Sequence, residues 1–222
     1  MTLLTLSMPW PTLIIIFPLC IGLFSSMASL VRLYMMTSDD GRQWVRVFTR
    51  PAPAGITWLF AAAAACMILS PAPALQRLLA VLFTLFLFRM TLCDAITGFL
   101  PRELTVSCLI AGLVAALAES GFWGHVLSCV TAISIFSAWR YATFRMHARE
   151  CLGLGDVWLA GAVAAWLGGS EGLSALLAGV IFFVLWQLLV RRVSEGGPMG
   201  PWLCAGAILV ALIRLYQPLI TW

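Results

Sequence analysis

Residues 153–190 decide the fold and read GLGDVWLAGAVAAWLGGSEGLSALLAGVIFFVLWQLLV. Two apolar segments flank a glycine-rich stretch, and only Asp156 and Glu171 carry charge. A transmembrane helix needs about 20 mostly apolar residues. The stretch therefore predicts two membrane helices, over 155–169 and 172–190, joined by a short glycine turn.

The same composition continues through the whole chain of 222 residues, which is 62% apolar and 10% charged with a mean hydropathy of +1.01. Soluble chains are about 45–50% apolar and about 25% charged, so lipid is expected to surround most of these side chains. We predict an all-α, polytopic membrane protein with about eight transmembrane helices. The predicted spans are 10–33, 54–70, 76–93, 104–118, 124–143, 155–169, 172–190 and 200–218.

The positions of the arginines predict the orientation. Positive residues accumulate on the cytoplasmic side of a membrane, and most arginines fall in or beside the first, third, fifth and seventh connections. Both termini are therefore expected on the non-cytoplasmic side, and the first apolar run is expected to stay as a span. Of the 13 basic residues, those assigned to the cytoplasm are Arg32, Arg42, Arg46, Arg50, Arg89, Arg102, Arg140, Arg145, Arg149, Arg191 and Arg192. Short external turns are expected at Ser70–Leu75, Glu119–Gly124 and Gly168–Gly172.

The residue inventory excludes several function classes. All 13 basic residues are arginine, which rules out a phosphate-loop lysine and a lysine Schiff base. The two histidines, His125 and His147, do not form H-E-x-x-H, and the seven cysteines never form C-x-x-C, so no zinc site is predicted. The arginines lie where membrane topology requires them, and no nucleic-acid partner is expected.

Two aspartates stand out among the acidic residues. Asp94 and Asp156 each adjoin a long apolar helix at its predicted cytoplasmic end, where an ionisable group is costly and suggests function. Paired carboxylates can activate water as in aspartic proteases, or relay protons and bind cations in a transporter. They can also merely cap helices or pair with arginines. Composition leaves these three alternatives open.

The motifs around the aspartates carry a family resemblance. Gly153-Leu154-Gly155-Asp156 resembles the second active-site segment of the type IV prepilin peptidases, membrane aspartic proteases of the G-x-G-D class. Asp94, followed by Leu100 and Pro101, resembles the first segment, and Gly197-Pro198-Met199-Gly200-Pro201 resembles the family's Pro-Phe-Gly-Pro turn. The resemblance covers roughly residues 75–215.

The resemblance implies a role for each matching residue. Asp94 and Asp156 become the catalytic pair, which places the aspartic-protease alternative first and leaves an ion- or proton-coupled transporter as the alternative. The positioning residues implied are Gly153, Gly155, Pro101, Gly200 and Pro201. Arg102 and Trp158 depart from the family, which usually has Asn or Asp and Lys there, and Arg102 with Glu103 is a weaker candidate for contacting the substrate's leader.

Within the pair, helix position predicts different charge states. Asp156 begins a helix whose amino-terminal dipole favours negative charge, whereas Asp94 ends a helix whose carboxyl-terminal end disfavours it. We therefore predict that Asp156 is the base and that Asp94 holds the proton, in a pair that titrates as a unit.

The resemblance also implies partners and location. A type IV prepilin or pseudopilin, with a basic leader before an apolar helix, would be cut at the cytoplasmic face of a bacterial inner membrane. The chain divides into a two-helix region, residues 1–75, and a six-helix peptidase region, residues 76–222. Longer family members hold zinc in a cytoplasmic lobe that is absent here. Proteolysis needs no cofactor, and S-adenosylmethionine would be used only if N-methylation is retained.

Overall fold

A computed structural model describes residues 10–37, 54–119, 121–147, 152–190 and 198–220. Eight α-helices account for nearly all of this part of the chain. The bounds of the helices are α1 Trp10–Thr37, α2 Ala54–Ile68, α3 Ala74–Thr97, α4 Arg102–Ala116, α5 Phe122–His147, α6 Leu154–Leu167, α7 Gly169–Val190 and α8 Gly200–Ile220.

The prediction of an all-helical, multi-pass membrane protein is confirmed. Each of the eight predicted spans overlaps one helix. In the part of the chain that the structure describes, five helices are long and apolar enough to cross a membrane. The other three, α2, α4 and α6, have 15, 15 and 14 residues. At 1.5 Å per residue they are about 21–23 Å long, shorter than the hydrocarbon core of about 30 Å.

Helix α6 lies at the centre of the bundle and packs against α4, α5, α7 and α8. Every residue from Leu159 to Leu167 is buried, although most are alanine or glycine. A Cβ atom added at Gly161 would lie 2.6 Å from Cγ1 of Ile133 on α5. Small residues let helix backbones approach closely, which explains how a short helix can be surrounded by four others.

The helices run alternately between two ends of the bundle. The aspartate end contains Asp94, Asp156 and Gly200, from the end of α3 and the starts of α6 and α8. The glutamate end contains Glu119 and Arg214, from the α4–α5 turn and late α8, with Glu171 from early α7. The two predicted aspartates thus lie at the same end, while the orientation of that end in a membrane stays a prediction.

The turn between α6 and α7 is shorter than predicted. We expected it over Gly168–Gly172, but α7 already begins at Gly169. Gly168 and Gly169 have φ of +69° and +38°, a region that glycine enters without a steric penalty. Two such residues reverse the chain, so the rest of the predicted turn becomes the first turn of α7.

The first two helices pack on the remaining six through aromatic side chains. The ring of Phe88 on α3 lies 4.9 Å from that of Phe24 on α1 and 5.4 Å from that of Phe60 on α2. These contacts cross the predicted boundary between residues 75 and 76, and the division into two regions stays a prediction. The predicted cytoplasmic loop, Thr37–Arg50, lies outside the described residues from residue 38 onward.

Candidate active site

Asp94 is placed by the last turn of α3. The helix ends at Gly98, whose φ of +66° gives a left-handed cap and whose N–H donates to the Asp94 carbonyl at 2.8 Å. Asp94 is only 5% exposed. The carboxylate is therefore held inside the bundle by a helix turn whose end is fixed by a glycine.

Asp156 is placed by the first turn of α6. Gly153 is the residue that caps this helix, and its backbone N–H donates a hydrogen bond to the Asp156 carboxylate. An acidic side chain three residues after the cap that bonds back to the cap N–H is half of a capping box. The side chain is partly buried, so Asp156 is less enclosed than Asp94.

Gly155 brings the two aspartate-bearing segments into backbone contact. A Cβ atom added at Gly155 would lie 2.7 Å from Cβ and 2.9 Å from the carbonyl oxygen of Leu100. Leu100 belongs to the loop between α3 and α4 that follows Asp94, and Pro101 then caps α4 by accepting from the N–H groups of Leu104 and Thr105. Glycine is required at 155 because no side chain fits between the first turn of α6 and the Leu100 loop.

The third motif closes on Asp94. A Cβ atom added at Gly200 would lie 2.6 Å from Asp94 Oδ2, and the Gly200 N–H is directed at the Asp94 carboxyl group. Pro201 occupies the first turn of α8, where a missing N–H costs no helical hydrogen bond. The preceding Met199 is buried and its carbonyl accepts the N–H of Leu203 at 3.2 Å. All three predicted motifs thus meet at the aspartate end.

The two carboxylates interact electrostatically, and no cation among the described residues pairs with either. Asp156 acts on Asp94 through its charge, and both act on the thiol of Cys204, which is fully buried on α8. Among the described residues, Asp94 Oδ2 has no hydrogen-bond partner and neither aspartate is in an ion pair. Carboxylates removed from water without a cation are costly, so such a pair is an unusual feature for a purely structural role. It can hold a proton and bind a polar reactant.

Arg102 and Glu103, the weaker substrate candidates, both contact protein groups. The Arg102 guanidinium lies over the Trp158 ring, 5.6 Å from its centroid. Glu103 Oε2 accepts a hydrogen bond from the Tyr34 hydroxyl at 2.7 Å, which ties α1 to the start of α4. Sequence reasoning missed Tyr34, since a lone tyrosine near the end of an apolar helix gives no signal for a partner 69 residues away.

The same residues bear on whether a metal or cofactor could be held here. Among the described residues no group of three or more histidine, cysteine, aspartate or glutamate side chains is placed to hold a metal ion. Apart from the aspartate pair, the described acidic residues are already engaged, Glu103 by Tyr34 and the other two by Arg214. Outside the aspartate pair, the described residues thus offer no free acidic group to receive the ribose hydroxyls of S-adenosylmethionine.

The fold and site together define a polytopic helical membrane protein with a carboxylate pair at one end of its bundle. Comparison with known proteins agrees with this class. Residues 81–190, which include both aspartates, match the family described as the type IV leader peptidase family. The chain belongs to this family, because it also covers about two thirds of a relative that is more than 30% identical to it.

That relative is the prepilin leader peptidase/N-methyltransferase of Escherichia coli K12, which is 32% identical over 157 residues, 67% of this chain and 68% of the relative. The protein of that name from Pectobacterium carotovorum is 32% identical over 141 residues, 58% of this chain and 49% of the relative. The one from Dickeya chrysanthemi is 34% identical over 131 residues, 55% and 46% respectively. The chain thus matches about half the length of the last two relatives. No solved structure is significantly similar to it.

Proposed function

We propose that this protein is an aspartic endopeptidase that removes the leader from type IV prepilins or pseudopilins. The observation that carries the proposal is the pair of Asp94 and Asp156, built from the two segments that resemble the family's active site. Asp94 is buried and Asp156 is partly buried, and no cation among the described residues pairs with either. The names of the relatives supply the substrate class. The transporter alternative is less well supported, since transporter sites usually lie near the bilayer midplane and this pair lies at one end of the helices.

In the proposed reaction Asp156 begins as a carboxylate and Asp94 as a carboxylic acid. Asp156 takes a proton from water while the water oxygen attacks the scissile carbonyl carbon, and Asp94 gives its proton to the carbonyl oxygen. The resulting diol collapses as the C–N bond breaks. Asp156 then gives its proton to the leaving amine, and Asp94 recovers a proton from the diol, which restores both groups.

The assignment of these two roles follows from helix position. Asp156 lies in the first turn of α6 and accepts the Gly153 N–H, both of which favour a negative charge. Asp94 lies in the last turn of α3, where the dipole has the opposite sign. Infrared titration of the carboxyl bands in Asp94→Asn and Asp156→Asn tests this assignment, and an acid proton on Asp156 in the unmodified protein contradicts it.

The proposed location is the inner membrane of a bacterium, with the aspartate end toward the cytoplasm and both termini on the opposite side. The scissile bond would lie at the membrane interface, where water is available and an extended backbone need not be buried unpaired. The other partners are the prepilin or pseudopilin and the surrounding lipid. Labelling of single cysteines introduced at the two ends in intact cells would test the orientation.

N-methylation of the new amino terminus is a separate proposal, drawn from the second half of the relatives' printed name. It would use S-adenosylmethionine and would involve the region we assign to residues 1–75, which accompanies the peptidase region at 76–222. Mass analysis of the cleaved product decides it, since a methyl group adds a fixed mass to the amino-terminal residue.

The decisive experiment is cleavage of several co-expressed prepilins, followed by amino-terminal sequencing of the product. We expect wild type to cut just before the apolar helix and Asp94→Asn and Asp156→Asn to cut nothing. Glu119→Gln is the matched control, because it replaces a carboxylate at the glutamate end with the same small chemical change. If well-expressed wild type cuts no prepilin while both aspartates are needed for ion flux, the transporter alternative is favoured.

A further inference from the structure

We propose that Arg102 and Trp158 form a clasp that fixes the segment following Asp94 against the helix that carries Asp156, so that both are positioning residues for the pair. The inference rests on the proposed function. It replaces the weaker prediction that Arg102 binds the substrate's leader, and it gives one structural role to Arg102 and Trp158.

The contact joins the two aspartate-bearing segments directly. Arg102 is the first residue of α4, immediately after the Leu100–Pro101 loop, and Trp158 lies two residues after Asp156 on α6. The guanidinium carbon is 5.6 Å from the centre of the ring, within the range of a cation–π interaction. The indole Nε1 has no hydrogen-bond partner among the described residues. Among the described residues, Trp158 therefore makes its electrostatic contact through the face of the ring, with Arg102.

A second contact between the same two segments lies beside the first. Gly155 packs on Leu100 so closely that a Cβ atom would meet the Leu100 backbone. The rest of α4 also packs against α6, and the two contacts hold the end of this interface that lies beside the aspartates. Gly155–Leu100 and Trp158–Arg102 lie one turn apart on α6 and together restrict rotation of the Leu100–Arg102 segment against that helix.

The orientation fixed in this way reaches both carboxylates. Asp156 lies between Gly155 and Trp158 on the same helical turn of α6. On the other side, the Asp94 carbonyl accepts the Gly98 N–H at 2.8 Å, which couples the loop to the last turn of α3. Loosening the clasp should therefore change the separation of the two carboxylates more than it changes substrate affinity. Catalysis by positioned groups is sensitive to small displacements.

The test compares Arg102→Gln, Trp158→Leu and the double variant with two conservative ones, Arg102→Lys and Trp158→Phe. A cation–π contact at an exposed site is weak, so its loss should displace the pair only slightly. We therefore expect each disruptive single variant to lower kcat by about two- to fivefold with little change in KM. The double variant should be no worse than either single variant, because the contact can be lost only once. The conservative variants keep a cation or a ring and should retain most of kcat.

Arg145→Gln is the matched control. Its guanidinium also lies 5.6 Å from an aromatic centre, that of Tyr141 on α5, a helix that carries neither aspartate. We expect its kcat to equal that of wild type. If it falls as much as Arg102→Gln does, the loss reflects surface cation–π contacts in general and the positioning role is wrong.

Two further outcomes overturn the clasp. A rise in KM for Arg102→Gln, with Trp158→Leu unaffected, would mean that Arg102 binds the leader. Additive losses in the double variant would mean that the two side chains act separately. A thermal-melting cycle on the same variants in detergent measures the contact independently of activity. Failure of wild type to cut any prepilin would reject the proposed peptidase, and the positioning role with it, while the melting cycle would still report on the contact.

Discussion

The two ends of the bundle treat acidic side chains in opposite ways. At the glutamate end, Arg214 Nη2 contacts Glu119 Oε2 at 2.5 Å and Arg214 Nε contacts Glu171 Oε2 at 3.4 Å, so one cation serves two carboxylates. At the aspartate end, Asp94 and Asp156 have each other and backbone N–H groups, and no cation among the described residues.

This difference distinguishes carboxylates that stabilise the fold from carboxylates that are available for chemistry. A carboxylate that a membrane protein needs only for folding is neutralised by a partner, since an unpaired buried charge destabilises the bundle. Glu119 fits this description, with Arg214 on one side and Nε2 of His125 at 3.5 Å on the other. Carboxylates that are left without a cation keep their capacity to exchange protons. The rest of the fold must offset the free energy that their burial costs. Variants at the two ends should therefore affect different measurements.

The largest effect is expected at the aspartate pair. Asp94→Asn or Asp156→Asn removes a group that must gain or lose a proton, and cleavage should fall by about 10³-fold or more. Thermal stability in detergent should be unchanged or higher, because a buried ionisable group is replaced by a neutral one of the same size. Parallel assays of prepilin cleavage and melting check both parts. Loss of cleavage that simply follows loss of folded protein would contradict the prediction.

The next largest effect is expected at the two glycines against which the site is packed. Gly155→Ala places a methyl group against the Leu100 backbone, and Gly200→Ala places one against Asp94 Oδ2. Displacements of this kind can cost about 100-fold in rate, together with about 1–3 kcal/mol of overpacking.

Gly124→Ala is the control for this pair, because nothing lies within 4 Å of the added Cβ atom at that position of α5. Cleavage rates at equal amounts of folded protein decide the comparison. Full activity in Gly155→Ala would mean that the Leu100 loop is not held as closely as the structure indicates.

At the glutamate end we expect a substitution to change stability more than it changes cleavage. Arg214→Gln leaves Glu119 and Glu171 without their cation, and we expect it to lower the free energy of unfolding by about 1–3 kcal/mol. The cleavage rate of the remaining folded protein should stay close to that of wild type. Melting in detergent and cleavage per folded molecule test this. A large loss of kcat with normal melting would show that the two ends are coupled.

The sequence predicted the helices well because lipid imposes a simple requirement, a long apolar run that satisfies its own backbone. It predicted that Asp94 and Asp156 lie at one end, since the number of spans between them sets the direction of each helix. It did not predict how the loops pack. The contacts Gly155–Leu100 and Trp158–Arg102 depend on the angle between α4 and α6, which no residue pattern encodes.

Errors in the expected boundaries have a similar origin. The helix α3 was expected to end at residue 93, yet it continues to Thr97 because Gly98 supplies its left-handed cap. Asp94 therefore lies inside the last turn of α3 instead of after the end of the helix. Nothing in the sequence indicated that His125 is buried, with Nδ1 at 2.9 Å from the Ala165 carbonyl oxygen. That contact exists because Gly168 leaves room for the ring, and it is visible only in three dimensions.

The smallest effect should separate the two glutamates that share Arg214. Glu171 Oε2 is 3.4 Å from Arg214 Nε and makes no hydrogen bond to the described residues, whereas Glu119 has the shorter contact with Arg214 and also faces His125. Glu171→Gln mainly loses the interaction of its charge with the amino-terminal dipole of α7, about 0.3–1 kcal/mol. Glu119→Gln should cost more, about 1–3 kcal/mol. The two melting temperatures in detergent, measured at the same low ionic strength, test the order. If Glu171→Gln is the more destabilising change, Arg214 depends chiefly on α7, and the glutamate end is held together differently from the arrangement described above.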